Sequence, residues 1–243
     1  MRVNKVLEKR PDARKPNDYA VYFLEMDDGS RWVWKPDGCN TALKEVIAYR
    51  MSEWMGLHIV PETIPYEWED TAGSLQRFVE GKVGSEVYRE GRHPSFQYSQ
   101  RLGLLDLILN NNDRWHSNVI IEDSGRIWAI DNGGILQPRD AWAASALAIV
   151  GRTFEPAVGS AAVKARTQIK DFIREIFSVE VEGREGPTRG TDLWVGVNIA
   201  CEKIASLAPA VGVEQCVLDT WGSIEFYRLA EEAGYPGDKY GPK

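Results

Sequence analysis

The stretch Asn110-Asn111-Asn112-Asp113-Arg114-Trp115-His116-Ser117-Asn118 is followed, thirteen residues after its last member, by Asp131-Asn132-Gly133. Between the two lie Val119-Ile120-Ile121 and Arg126-Ile127-Trp128-Ala129-Ile130, β-branched or aromatic runs on either side of Asp123-Ser124-Gly125. That pattern predicts a tight hairpin, which returns Asp131 to the side of Asn118. A carboxylate and an amide oxygen brought together in this way are hard ligands suited to Mg²⁺, an ion that keeps several waters and takes only one or two carboxylates from a protein. Asp113, five residues ahead of Asn118, is then left to face an incoming group and take up its proton. Either half alone reads as a surface loop or an isolated turn; the joint spacing is what makes a site.

A protein-kinase catalytic loop spaces an Asp and an Asn in this way and supplies a second Asp ahead of a Gly after a short hairpin. Such a site needs a lysine for the nucleotide phosphates and a helix carboxylate to hold it. Residues 19–25 and 30–35 flank Asp27-Asp28-Gly29 and predict an N-terminal hairpin whose second strand closes on Lys35. Residues 41–55 carry Leu43, Val46, Ile47, Met51 and Met55 at helical spacing, with Gly56 as the stop. Glu45 on that helix is the expected partner of Lys35, with Glu53 as its rival. Residues 59–64 and 74–79 predict two more strands. The second ends where a hinge would lie, so backbone groups of Gln76, Arg77, Phe78 and Val79 are candidates for holding an adenine. An apolar helix over 97–109 leads into the Asp113 loop.

The chain has 243 residues, 43% apolar and 27% charged, enough for one two-lobed domain with a sizeable core. A net charge of −7 argues against nucleic acid or an anionic membrane as a partner. No apolar run approaches the roughly 18 residues of a membrane span, and the polar start, Met1-Arg2-Val3-Asn4-Lys5, lacks the core of a signal peptide, so a cytoplasmic setting is expected. Cys39, Cys201 and Cys216 have no metal or disulfide spacing. The last third predicts helices over 161–177, 192–207 and 213–233, a polar Gly-rich loop over 180–190, and a frayed tail over 236–243. The expected organisation is an α+β, two-lobed protein-kinase-like fold, with a small β-rich N-lobe over about 1–80 and a mostly helical C-lobe over about 81–235.

Lys35, Lys44-Glu45-Val46-Ile47-Ala48-Tyr49-Arg50, Gly56-Leu57, Val60-Pro61-Glu62-Thr63, Gly73-Ser74-Leu75-Gln76-Arg77-Phe78, Asn112-Asp113-Arg114 and Ile130-Asp131-Asn132-Gly133 together resemble the bacterial phosphatidylinositol 3- and 4-kinase-like proteins, a group of atypical kinases. The resemblance implies ATP, Mg²⁺ or Mn²⁺, and a hydroxyl acceptor. It implies Lys35 on the phosphates, Glu45 on Lys35, Asp113 as catalytic acid/base, and Asn118 with Asp131 on the metal. Two departures stand out. Trp115 takes the place where similar lipid-kinase loops have His, leaving His116 one position later, either beside the transferred phosphate or in a structural hydrogen bond. No G-x-G-x-x-G precedes Lys35; the region from Glu8 to Asp18 is charged and glycine-free, a solvated arm or a source of phosphate contacts through Lys9, Arg10, Arg14 or Lys15. The expected function is transfer of a phosphoryl group to a protein Ser or Thr. The alternatives are a lipid or small-molecule hydroxyl, or a pseudokinase-like nucleotide-binding module. Oligomeric state is not legible.

Overall fold

Strand residues alternate faces, and in β2 (Ala20–Met26) and β3 (Arg31–Pro36) this sends Leu24 and Met26 to one side with Trp32 and Trp34, all buried. Lys35 consequently projects from the other side. These strands belong to the computed structural model of the protein, which describes residues 1–11, 20–37, 41–111, 113–136 and 155–165, together with Gln168 and Phe172. With β1 (Val3–Pro11), β4 (Thr63–Trp68) and β5 (Thr71–Arg77) they form a five-stranded antiparallel sheet in the order β1-β2-β3-β5-β4. The molecule is a mixed α+β structure with a β-rich N-terminal region.

Two expectations for this region need correction. The solvated arm is a strand as far as Pro11: β1 pairs with β2 over its length. Its sequence hides this because an edge strand exposed on both faces shows no apolar alternation, and its Lys and Glu side chains suit an unpaired edge. Lys9 and Arg10 lie over the rings of Tyr22 and Phe23, while Arg14 and Lys15 fall outside the described residues. The strand expected over 59–64 begins at Thr63 instead. Ile59 and Val60 form a buried connector whose N–H groups donate to Ser52 Oγ at 3.0 and 3.3 Å, and the Ile59 carbonyl accepts from Ala129 N–H at 2.7 Å. β4 and β5 form a hairpin across Glu69 and Asp70, at φ 51° and 57°. Positive φ at both central residues is the demand of a type I′ turn, met here without the usual Asn-Gly signal.

Between β3 and β4 runs α1 (Thr41–Trp54), close to its expected span and terminated at Gly56, whose φ of +73° is left-handed. After β5 come β6 (Lys82–Val83) and a short α2 (Gly84–Arg89), neither anticipated, then α3 (Phe96–Ile108), as expected within a residue. The expected hairpin is present as β7 (Val119–Ile121) and β8 (Ile127–Ala129), which join β6 in a three-stranded sheet. One buried cluster unites Leu43, Ile47 and Met51 of α1, Leu104, Leu105 and Ile108 of α3, the β7–β8 hairpin, and Val158, Ala161 and Ala165 of a helical segment over 156–165. A separate cluster, Leu24, Met26, Trp32, Trp34 and Leu75, belongs to the five-stranded sheet alone. The helices expected over 192–207 and 213–233, the 180–190 loop, the 236–243 tail and most of the expected C-lobe lie outside the described residues. Among the described residues no helix is long and apolar enough to cross a membrane.

Candidate functional site

Lys35 projects from β3 toward α1, and the first turns of α1 set Glu45 opposite it. Lys35 Nζ donates to Glu45 Oε1 at 2.6 Å and to Asp131 Oδ1 at 3.1 Å. Glu45 is 2% exposed, Lys35 15%, Asp131 55%. Burial alone would push the Lys35 ammonium toward neutrality. The attraction of Glu45 and then of Asp131, with the hydrogen bonds of both, outweighs it and holds the pKa above the ordinary lysine value. The rival carboxylate, Glu53, is instead 2.9 Å from His58 Nδ1.

Asp131 reaches Lys35 because of an uncommon backbone. Its φ of 55° and ψ of 61° are left-handed, immediately before a 3-10 turn over Asn132–Gly134. Asp and Asn tolerate this region better than most residues with a Cβ. Directly upstream, the β7–β8 ladder continues past the strands, with Ile130 N–H donating to the Asn118 carbonyl at 3.0 Å. Asn118 and Asp131 therefore stand at one end of one hairpin.

The loop ahead of that hairpin is built around Arg114, a residue that the sequence marks only within the resemblance. Its guanidinium is 2% exposed and pairs with Asp106 of α3, 1% exposed. Nε donates to both Asp106 oxygens at 3.1 Å, Nη1 to the Asn118 and Ile130 carbonyls at 2.8 and 2.7 Å, and Nη2 to Asn132 Oδ1 at 2.6 Å. Asn111 extends the scaffold: its Nδ2 donates to Asp106 Oδ1 at 2.9 Å and its Oδ1 accepts the Asp113 N–H at 3.0 Å. Asp106, Asn111 and Asn132 were not singled out from sequence. A signal existed for the first, a lone carboxylate inside Leu104-Leu105-Asp106-Leu107-Ile108, which has to find a partner if that helix face is buried.

On this scaffold Asp113 is exposed, and its Oδ1 accepts the Trp115 indole N–H at 2.6 Å. Its carbonyl accepts Asn118 Nδ2 at 2.6 Å, which fixes the Asn118 amide so that its oxygen, reached by Ser117 Oγ at 3.1 Å, is the end left for a cation. Trp115 is 68% exposed. His116 lies against Tyr88, ring centroids 4.2 Å apart, so the structure gives it a packing contact.

The hinge candidates divide. Gln76 is buried within β5 and its Nε2 donates to Thr63 Oγ1 at 3.0 Å. The Arg77 N–H donates to the Glu62 carbonyl at 2.7 Å and the Phe78 N–H to the Arg31 carbonyl at 2.9 Å. These two donors serve the sheet; the next backbone N–H belongs to Val79.

Among the described residues no group of three His, Cys, Asp or Glu side chains could hold a metal unaided. The oxygen donors at the hairpin end are one carboxylate, Asp131, and one amide, Asn118. That sparse, hard set matches a cation carrying waters and phosphate oxygens, and does not match Zn²⁺, which takes His and Cys ligands. The site thus gathers a cation held between two carboxylates, a hard-oxygen pair beside it, and an exposed carboxylate on the same loop. Matched against protein-family models and curated proteins, the chain finds none.

Proposed function

We propose that this chain is an ATP-dependent phosphotransferase with the two-lobed build of a protein kinase, passing a γ-phosphoryl group to a hydroxyl, that of a protein Ser or Thr. The observation that carries the reading is Lys35 set between Glu45 and Asp131, residues 10 and 96 positions away in the chain. A strand lysine, a helix carboxylate and the second Asp of the loop are the groups that phosphoryl transfer requires together. The five-stranded sheet with α1 between β3 and β4 supports the same build, as does the resemblance to bacterial phosphatidylinositol 3- and 4-kinase-like proteins.

When bound, Mg²⁺ or Mn²⁺ neutralises phosphate charge, and Asp131 with the Asn118 amide oxygen are the residues to hold it. Lys35, kept charged by its two carboxylates, meets phosphate oxygens. Glu45 holds the ammonium from the side of α1. The Trp115 indole orients Asp113 through Oδ1, and the second carboxylate oxygen accepts the proton of the incoming hydroxyl.

A second reading, a nucleotide-binding module without transfer, is favoured by the Trp115 hydrogen bond on Asp113 and by the charged, glycine-free sequence from Glu8 to Asp18 ahead of Lys35. ATP turnover with Mg²⁺ or Mn²⁺ decides. Asp131→Asn, which keeps the left-handed backbone, should abolish turnover. Asp113→Asn should lower it by roughly 10²- to 10⁴-fold while nucleotide binding, read by thermal shift, persists. Turnover that survives Asp131→Asn refutes the assignment; binding without turnover in the wild type supports the module.

A further inference from the structure

Glu45 spends its two oxygens on different partners. Oε1 accepts from Lys35 Nζ at 2.6 Å, and Oε2 accepts from Asn132 Nδ2 at 3.1 Å. The other end of that amide, Asn132 Oδ1, accepts from Arg114 Nη2 at 2.6 Å, and Arg114 is anchored on Asp106 of α3. One amide, with no exposed surface, thus stands between the carboxylate of α1 and the guanidinium of the loop.

We propose that Asn132 is a positioning residue: it fastens α1 to the loop, so that Glu45 presents Lys35 to Asp131. The proposal rests on the phosphotransferase reading for its catalytic consequence, and on hydrogen bonds alone for the fastening. An amide is matched to this place because it offers a donor to a carboxylate and an acceptor to a guanidinium at once. A carboxylate here would keep the bond to Arg114 and set a like charge against Glu45; leucine would leave both neighbours unmet in a buried site. The same amide governs Asp131. Fixing the residue that follows it holds the left-handed backbone, which a Cβ-bearing residue keeps only where its surroundings over-determine it. Lys35 and the metal-side carboxylate are therefore aligned by one group that touches neither nucleotide nor acceptor.

The full chain, without nucleotide, is compared by amide hydrogen exchange with Asn132→Asp, which loses the donor to Glu45 and to the Ala129 carbonyl but keeps the acceptor for Arg114, and with Asn132→Leu, which loses all three contacts. Exchange in the first half of α1 should quicken about tenfold or more in both variants, the loss of one hydrogen bond to a charged group. In Asn132→Asp, α3 and β2 should exchange as in the wild type. With ATP and Mg²⁺, kcat should fall about 100-fold, as for a misplaced reacting group, with KM for ATP changed less than about threefold, because the lost alignment acts on the transition state. Unchanged exchange in α1, or a rise shared equally by α1, α3 and β2 in Asn132→Asp, overturns the proposal. If Asn132→Leu does not fold, the near-isosteric Asn132→Asp decides by itself. If the wild type turns over no ATP, the phosphotransferase reading falls, and the exchange result still supports or overturns the fastening role.

Discussion

Replacing Arg114 by methionine removes the guanidinium donors that tie the Asp113 loop to α3 and to the β7–β8 hairpin, leaving the bonds of Asn111 and Asn118, while keeping much of the side-chain volume. Asp106, 1% exposed, loses its cationic partner. Breaking a buried ion pair from one side costs about 3–5 kcal/mol, because the remaining charge is stranded in a medium that solvates it poorly. The Ile130 carbonyl and Asn132 Oδ1 lose their donor as well, each exposed to a desolvation cost of roughly 1–3 kcal/mol, whereas the Asn118 carbonyl keeps the Ile130 N–H. These terms share one network and do not add. Relaxation and entering water absorb part of them, so a net loss of about 5 kcal/mol is expected, on the scale of the whole stability of a domain. Urea unfolding followed by tryptophan fluorescence measures it, with the slope of free energy on denaturant checked for constancy. Adding Asp106→Leu to Arg114→Met removes the stranded charge and should restore at least about 2 kcal/mol, since apolar replacement of a buried pair is often tolerated. Arg114→Lys should fall between, having charge without the planar fork. A loss under about 1 kcal/mol for Arg114→Met at unchanged slope, or a double variant no better than the single, refutes the picture of this guanidinium as the loop's anchor.

Gly73 faces Pro36 across the β3–β5 ladder, and a methyl group there would strike the Lys35 carbonyl oxygen and come within 2.7 Å of the Trp34 indole nitrogen. Gly73→Ala should therefore cost about 2 kcal/mol, seen as a thermal midpoint lower by roughly 4–8 °C; an unaltered midpoint contradicts the close approach. Lys35 gives a pH prediction. Its folded pKa is raised, so its ionic contribution to stability is complete below the unfolded value, near 10.4, and is lost as pH rises from there through the folded value. The stability difference between wild type and Lys35→Met should thus stay level from neutral pH to about 10 and shrink above it; a difference that already declines between pH 7 and 9 rules out the pairing with Glu45 and Asp131.

What could be read from the chain depended on whether a residue's role leaves a local pattern. α1 and α3 were legible because Leu43, Ile47 and Met51, or Leu104, Leu105 and Ile108, recur at the helical period on buried faces. The β7–β8 hairpin was legible because a turn signature sits between two β-branched runs. Lys35, Glu45, Asn118 and Asp131 were picked out by spacing, and the structure bonds Lys35 to Glu45 and Asp131 and sets Asn118 at the same hairpin end as Asp131. β1 was missed because an edge strand exposed on both faces has no alternation to detect. β4 was misplaced because Ile59 and Val60 look like strand residues but spend their backbone groups on Ser52 and Ala129. The roles of Arg114 and Asn132 escaped because a buried polar network is defined by partners such as Asp106 and Glu45, distant in sequence. Nothing in the composition around either residue distinguishes a network member from a surface polar group.

The two buried clusters carry a mechanical consequence. The apolar face of α1 is packed into the cluster with α3 and the hairpin, while the five-stranded sheet closes over its own tryptophan-rich cluster. The boundary between the two clusters therefore passes between β3 and α1, and Lys35 spans it with polar bonds to Glu45 and Asp131. Because the two clusters share no residue, a tilt of the sheet would have to break the polar bonds of Lys35 before it opened either cluster.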